Sequence, residues 1–382
     1  MKKILILAFT KLADQPRVYR QIRFLKDSYH IITAGLNEPR DENTRHIKIK
    51  APTNDFLRDK IPAALLMKFG YIEKCYWNLP IVKEGLKALN ASNKLNFDLI
   101  IAHDLITLPV ALLFAKNNGA KVLLDLHEYF PHQFEDLWTN RLFYNKLWNH
   151  ICVGYLPKAD VIITVCKGIA DEYKKNYGAN PEVITNAPYF SDLTPSVTKE
   201  NNIRMMYHGL VHKSRKSENM IYLMDYLDSR FELDFMIIRD NSRYCRKVCD
   251  LAVNHPRISL RDTVSMPQIP YIINKYDIGL FLLPPESFSY RMALPNKLFE
   301  FIQGRLAIAI WPSPEMARIV HECKCGIASE DFTIESIANR LNSLSVQDIM
   351  KYKQNSHNAA DLLCAEKNRK KFLSIVKKLI YT

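Results

Sequence analysis

Glycine is scarce in this chain, 11 residues among 382. None belongs to the G-x-G-x-x-G that opens a nicotinamide or flavin domain, and no G-x-x-x-x-G-K-[ST] marks a P-loop. No G-x-S-x-G supplies a nucleophile elbow. The cysteines at 75, 152, 166, 245, 249, 323, 325 and 364 include no C-x-x-C pair. A zinc ribbon and a thioredoxin-type motif are thereby excluded, and buried thiols in a reducing cytoplasm are expected. His127-Glu-Tyr-Phe-Pro-His132 is one residue too long for H-E-x-x-H, so its two imidazoles do not share a helix face. There is no Asp-x-Asp, the pair that holds a divalent cation on a diphosphate, and no metal or other cofactor is expected. No run of 18 apolar residues spans a membrane. The apolar start Ile4–Phe9 soon meets Lys11 and Asp14 without a small-residue cleavage site, so it reads as a buried strand rather than a signal peptide.

Negative charge is the other shortage. Asp and Glu number 40 against 53 Lys and Arg, a net charge of +13. Such a surplus speaks about partners, not fold, and points to an anionic one: a nucleotide, a phosphorylated substrate, nucleic acid or an acidic membrane face. Nucleic acid is suggested only by the charge and is disfavoured, because no recognition fold is visible. At 48% hydrophobic and 24% charged the chain is ordinary globular protein, long enough for two domains.

What is present is a rhythm. Ile4–Phe9, His30–Ala34, Leu99–Ala102, Val122–Leu126 and Val161–Val165 are short apolar runs that read as buried parallel strands. Helical stretches lie between them, among them Arg17–Lys26, Leu108–Asn117 and Ile169–Tyr177, the last stopped by Gly178. A polar stretch with two prolines, Asn186–Asn202, then interrupts the rhythm, and a linker is read over 189–202. The alternation resumes with Arg204–Tyr207, Leu233–Ile238, Ile258–Leu260, Ile278–Leu283 and Leu306–Ile310. The expected fold is therefore α/β: two doubly wound, Rossmann-like domains over 1–188 and 203–360, facing a cleft. A basic amphipathic helix over 361–382 follows. Ligands of such sheets sit beyond the carboxyl ends of the strands, so the cleft is the expected active site.

Four stretches carry chemistry at those strand ends. In Ala293-Leu-Pro-Asn-Lys-Leu-Phe-Glu-Phe-Ile-Gln-Gly304, Pro295 opens a helix with Asn296 and Lys297 in its first turn and Glu300 one turn on. The free N–H groups and positive dipole of that end suit a phosphate, and the Glu suits a ribose diol. In Tyr207-His-Gly-Leu-Val-His-Lys-Ser-Arg-Lys216, Gly209 permits a tight turn, and Lys213, Arg215 and Lys216 suit a leaving diphosphate. Taken alone the latter reads as a solvated basic loop. In Leu124-Asp-Leu-His-Glu-Tyr-Phe-Pro131, His127 follows a strand and is placed to meet a sugar hydroxyl or a reacting oxygen; a structural His–Glu pair is an equal alternative. His103-Asp104 share that placement and that ambiguity. In Thr10-Lys-Leu-Ala-Asp-Gln-Pro-Arg-Val18, Asp14 is placed to cap a helix or to meet an acceptor hydroxyl, and capping is the commoner use.

Together these strings resemble a retaining glycosyltransferase of the GT-B fold, from family four, over nearly the whole chain. Further strings join them: A-D-V-I-I-T-V-C-K-G-I-A at Ala159–Ala170, N-A-P at Asn186–Pro188, Y-D-I-G-L at Tyr276–Leu280 and S-P-E-M-A-R-I-V at Ser313–Val320. The resemblance is to bacterial enzymes of capsular and lipopolysaccharide synthesis. It implies Glu300 on the nucleotide ribose, Asn296 and Lys297 at the diphosphate and donor sugar, and Arg215 and Lys216 on the diphosphate with Lys213 nearby. Gly209 belongs to the same donor loop, and Val264, in loop Asp262–Val264, lines the base. His127 is implied at the donor sugar and the reacting oxygen. Asp14, Arg17, His103 and Asp104 stand on the acceptor side. The implied reaction moves a hexose-type sugar from a nucleotide diphosphate to a glycan or lipid-linked acceptor hydroxyl with retention, without metal, and with the leaving phosphate taking the acceptor proton. One departure is plain: the family's first Glu, eight positions before Glu300, is Met292 here, with Glu286 six residues earlier.

Between Asp55 and Val82, Phe56, Leu57, Ile61, Leu65, Leu66, Met67, Phe69, Tyr71, Tyr76 and Trp77 alternate with Arg58, Lys60, Lys68 and Lys74. That segment is equally a helical cover on the sheet and a contact with an anionic membrane, which would place a cytoplasmic protein on the inner membrane face. Two rivals share the fold: a nucleotide-sugar 2-epimerase and a catalytically degenerate binding subunit.

Overall fold

A computed structural model describes residues 1–40, 44–52, 61–92, 95–133 and 144–381. The described chain divides into two compact units, Met1–Thr185 with Arg369–Thr382, and Asn186–Asn368.

The first unit holds a seven-stranded sheet: β1 (Lys3–Leu7), β2 (His30–Gly35), β3 (Arg45–Lys48), β4 (Leu99–His103), β5 (Lys121–Leu126), β6 (Val161–Thr164) and β7 (Glu182–Val183). All pairs are parallel, in the order β3-β2-β1-β4-β5-β6-β7. The apolar runs were legible because parallel strands are buried on both faces; Ile4 to Leu7 and Leu99 to Ala102 are fully buried. β3 and β7 went unseen as strands because they are short edges with little apolar content. The helix Pro16–Leu25 starts on Pro16 with Gln15 at its cap and no side-chain cap bond, so Asp14 does not cap it.

The second unit holds β8 (Ile203–Leu210), β9 (Phe231–Ile238), β10 (Ile258–Arg261), β11 (Ile278–Phe281), β12 (Ala307–Ile310) and β13 (Gly326–Ala328). The order is β10-β9-β8-β11-β12-β13, again all parallel. Each sheet reverses its strand order once, between β1 and β4 and between β8 and β11. Those two switch points are where such sheets open a crevice for ligands.

The stretch 189–202, read as a linker, lies wholly within the second unit and is fastened there. Buried Arg305 donates to the carbonyls of Ser191 and Leu193 at 2.6 and 3.1 Å. Gln303 accepts from the Ser191 amide at 2.9 Å. Fully buried Lys353 donates to Ser196 Oγ at 2.9 Å and to Asp277 Oδ1 at 3.0 Å, and Asp277 also accepts from Thr198. Most of the stretch is exposed or half-buried, and buried Arg305, Gln303 and Lys353 hold it at Ser191, Leu193 and Ser196. The final helix runs over Ala365–Tyr381, and Arg369–Thr382 belongs to the first unit, where Phe372 packs 6.2 Å from Phe24.

Candidate functional site

In the second unit the switch point gathers the residues that the resemblance implies for a donor. The last but one residue of β8 is Gly209, whose φ of 115° lies in the region that only glycine enters readily. The chain then turns through the short helix Lys213–Arg215 to Lys216, itself left-handed at φ 43°. Facing this loop, the helix Asn296–Gln303 begins with Pro295 at its cap, as the sequence predicts. Lys297, 7% exposed, passes beneath the loop, and a Cβ on Gly209 would stand 3.5 Å from its Nζ. That Nζ lies 4.0 and 4.1 Å from the ring centroids of Tyr207 and Phe281 and has no hydrogen-bond partner among the described residues. Burial, with Arg215 nearby, holds its pKa well below the usual lysine range, although Glu300 opposes the shift.

Glu300 is buried one turn on, with its Oε2 3.4 Å from Nε2 of His208. Burial, then the charge of Lys297, lowers the His208 pKa to about 3, so its imidazole is neutral. Lys216 pairs with Glu286 at 2.5 Å, so that carboxylate is committed to the cationic loop. Arg215 is on the same loop and donates to the Leu210 carbonyl at 3.4 Å. Val264 is half-buried in the loop after β10, just before the Ser265–Gln268 capping box. Lys213 opens the short helix of the loop.

In the first unit a different cluster forms at the ends of β4 and β5. His103 is the last residue of β4 and Asp125 the last but one of β5, and Asp104 and His127 follow those strands. Asp125 is fully buried and accepts from Arg17 Nε at 2.7 Å and Gln21 Nε2 at 2.5 Å. Burial works against its charge, yet Arg17 and then His127 hold its carboxyl well below the usual range. Arg17 is only 4% exposed and also donates to the Ile184 carbonyl at 2.7 Å, so it braces the cluster from inside rather than projecting from the first loop. Asp14, in contrast, is exposed.

His103 is buried, and burial lowers its pKa to about 3. Its Nδ1 is 3.3 Å from Nε2 of His127. For His127 burial is outweighed by Asp104 and Asp125, and its pKa is raised. Asp104 Oδ1 stands 3.5 Å from His127 Nδ1. Asp104 has φ 67° and ψ 153°, a conformation that costs a non-glycine residue about 1–3 kcal/mol. Thr107 holds it by donating to the carbonyls of His103 and Asp104 at 2.8 and 2.9 Å. The motif reading passed over Asp125, yet its signal was there: a carboxylate in the middle of an apolar strand must be paired. Glu128 is likewise a member, its carboxyl raised by burial and by Asp104.

Two parallel, doubly wound sheets, one in each unit, are the architecture of the GT-B fold, and solved structures of that fold agree. Sucrose-phosphate synthase of Thermosynechococcus elongatus superposes with a TM-score of 0.72 at 12% identity, covering 99% of each chain. HepE of Anabaena, solved with UDP-glucose, gives 0.71 at 11% identity over 99% of this chain and 100% of its own. WaaG, a glycosyltransferase involved in lipopolysaccharide biosynthesis, gives 0.65 at 11% identity over 96% and 98%. In sequence, residues 20–188 match Glycosyltransferase Family 4. No protein of curated function matches the chain.

Proposed function

We propose that this protein is a retaining glycosyltransferase that moves a sugar from a nucleotide diphosphate to a hydroxyl of a glycan or lipid-linked acceptor in cell-surface polysaccharide synthesis. The observation that carries the reading is the amine of Lys297, buried without an acceptor beneath Gly209 and beside the start of the 296–303 helix. A buried donor with no partner requires an explanation, and an anion laid over the Gly209 backbone supplies one. The diphosphate takes the free N–H groups at Asn296 and the charges of Lys213, Arg215 and Lys216, which stabilise it as it leaves. No metal is needed at that position. Glu300 takes the ribose diol, and Val264 lines the base.

His127 meets the transferred sugar and the reacting oxygen, with Asp14 on the acceptor side. Arg17, His103 and Asp104 act there by positioning. The C–O bond to the diphosphate breaks through an oxocarbenium-like state, the acceptor oxygen bonds the anomeric carbon on the same face, and the leaving phosphate takes the acceptor proton. The resemblance of the fold to HepE and WaaG supports the donor class and the surface-polysaccharide setting. A membrane-linked acceptor is supported by the exposed Leu65, Phe69 and Tyr71 beside Lys68 and Lys74. Phe56, Leu57, Arg58 and Lys60 of that segment lie outside the described residues.

The test is calorimetric titration of the whole protein with UDP, GDP and ADP, beside Glu300→Ala. One nucleotide should bind saturably and lose at least ~10-fold in the variant, the cost of a charged hydrogen-bonding group. Absence of binding by all three would overturn the reading.

A further inference from the structure

The two segments that flank the crevice of the second unit are joined to each other. β8 and β11 are neighbours in the sheet, yet the chain leaves them toward β9 on one side and β12 on the other. Right-handed crossovers carry those connections to opposite faces, so the segments that leave β8 and β11 face each other across the crevice. Two side-chain contacts span them. Lys216 Nζ, on the loop after β8, lies 2.5 Å from Glu286 Oε1, on the segment after β11. Ser214 Oγ, on the same loop, lies 2.6 Å from the Tyr290 hydroxyl. Pro284 and Pro285 stiffen the approach to Glu286, and Ser287 caps the short helix Phe288–Arg291 by accepting from the Tyr290 amide at 3.3 Å.

Charge makes the first contact more than a clasp. Residues 209–217 hold Lys213, Arg215 and Lys216 and no acid, and Glu286 is the one acid between β11 and Glu300. A carboxylate seated on a cationic loop takes the place that an anionic ligand needs. We propose that Glu286 is an internal competitor of the diphosphate: it holds Lys216, and the diphosphate must displace it to reach that amine. The inference rests on the donor site proposed above. An exposed ion pair is worth little, because water weakens it and two long side chains lose freedom. Lys216 and Glu286 are 53% and 43% exposed in their side chains, so their pair can be displaced. The Ser214–Tyr290 contact holds the segments together separately and lowers the entropy that the pair must give up. A diphosphate carries more charge than one carboxylate and meets Lys213 and Arg215 as well, so it prevails at Lys216.

The test is calorimetric titration of the whole protein and of Glu286→Gln with whichever of UDP, GDP and ADP the wild type binds. Removing the competitor should tighten binding about 2–5-fold, the range of an exposed ion pair. The gain should fade at about 1 M salt, where such a pair is screened. A clasp that only orders the loop gives the opposite sign, because its loss disorders the groups that meet the phosphates. Lys216→Met separates competition from general repulsion: with the amine gone, Glu286→Gln should leave affinity unchanged. Unchanged or weaker binding in Glu286→Gln, or equal tightening with and without Lys216, would overturn the proposal. Absence of binding by the wild type is a different result and removes the donor site itself.

Discussion

At the residue scale the chain spends its buried charge in a few places, and each makes a testable claim. Asp125 neutralises Arg17 inside the first unit, and removing one partner leaves the other charge unpaired. Asp125→Asn should therefore destabilise the protein by about 3–5 kcal/mol in urea denaturation, where replacing an exposed pair such as Lys167–Asp171 should cost under ~1 kcal/mol. His208 makes a claim about pH. Its folded pKa, about 3, lies below the ordinary 6.5, so folding excludes a proton that the unfolded chain binds. The stability it contributes is complete above about pH 6.5 and is lost as the pH falls toward 3, by up to ~1.4 kcal/mol per unit for one proton. Denaturation at pH 7, 6 and 5 should show this decline, and the decline should be shallower in His208→Asn. His127, with its raised pKa, acts in the opposite direction: its share is present below about 6.5 and fades as the pH rises. Residue roles were legible in the sequence where a motif names a backbone need, as at Gly209 and Pro295. They were not legible for Asp125 or His208, whose partners are 108 and 92 positions away along the chain, at Arg17 and Glu300.

At the element scale the alternation of apolar run and amphipathic helix gave up most of the architecture, because burial on both faces leaves parallel strands no choice of composition. It missed β3 and β7, where burial is slight, and β13, which is only three residues long. The stretch 189–202, most of it exposed or half-buried, is fastened by Arg305 and Lys353 from far along the chain. Lys353 alone meets Ser196, Asp277 and the carbonyl of Tyr276. Lys353→Ala should cost about 3–5 kcal/mol, since Asp277 then stays buried without its counter-charge. It should also expose 189–202 to protease, a change that a merely weakened core would not confine to that stretch. The measurement is limited proteolysis with the cut sites read by mass spectrometry.

At the scale of the whole molecule, net charge and exposed apolar surface act together. No helix among the described residues is long and apolar enough to cross a membrane. The proposed attachment to an anionic membrane rests on the +13 charge and on the exposed Leu65, Phe69 and Tyr71. Phe69 and Tyr71 are 69% and 61% exposed on a turn of the chain whose neighbours Lys68 and Lys74 are also exposed. Apolar insertion and attraction to anionic lipid have opposite sensitivities, which separates them. Salt screens the attraction, with a Debye length near 8 Å at physiological ionic strength and 3 Å at 1 M, while insertion of rings is little affected. Phe69→Ser with Tyr71→Ser removes the inserting groups and leaves the charge. Co-sedimentation with vesicles containing phosphatidylserine should thus fall for wild type as salt rises. At any one salt it should fall further for the double variant, and neutral vesicles should bind neither protein well. Binding that ignores salt but follows the rings would assign the contact to the apolar patch alone; binding that ignores both would remove the membrane from the account, and the acceptor would then be a soluble glycan.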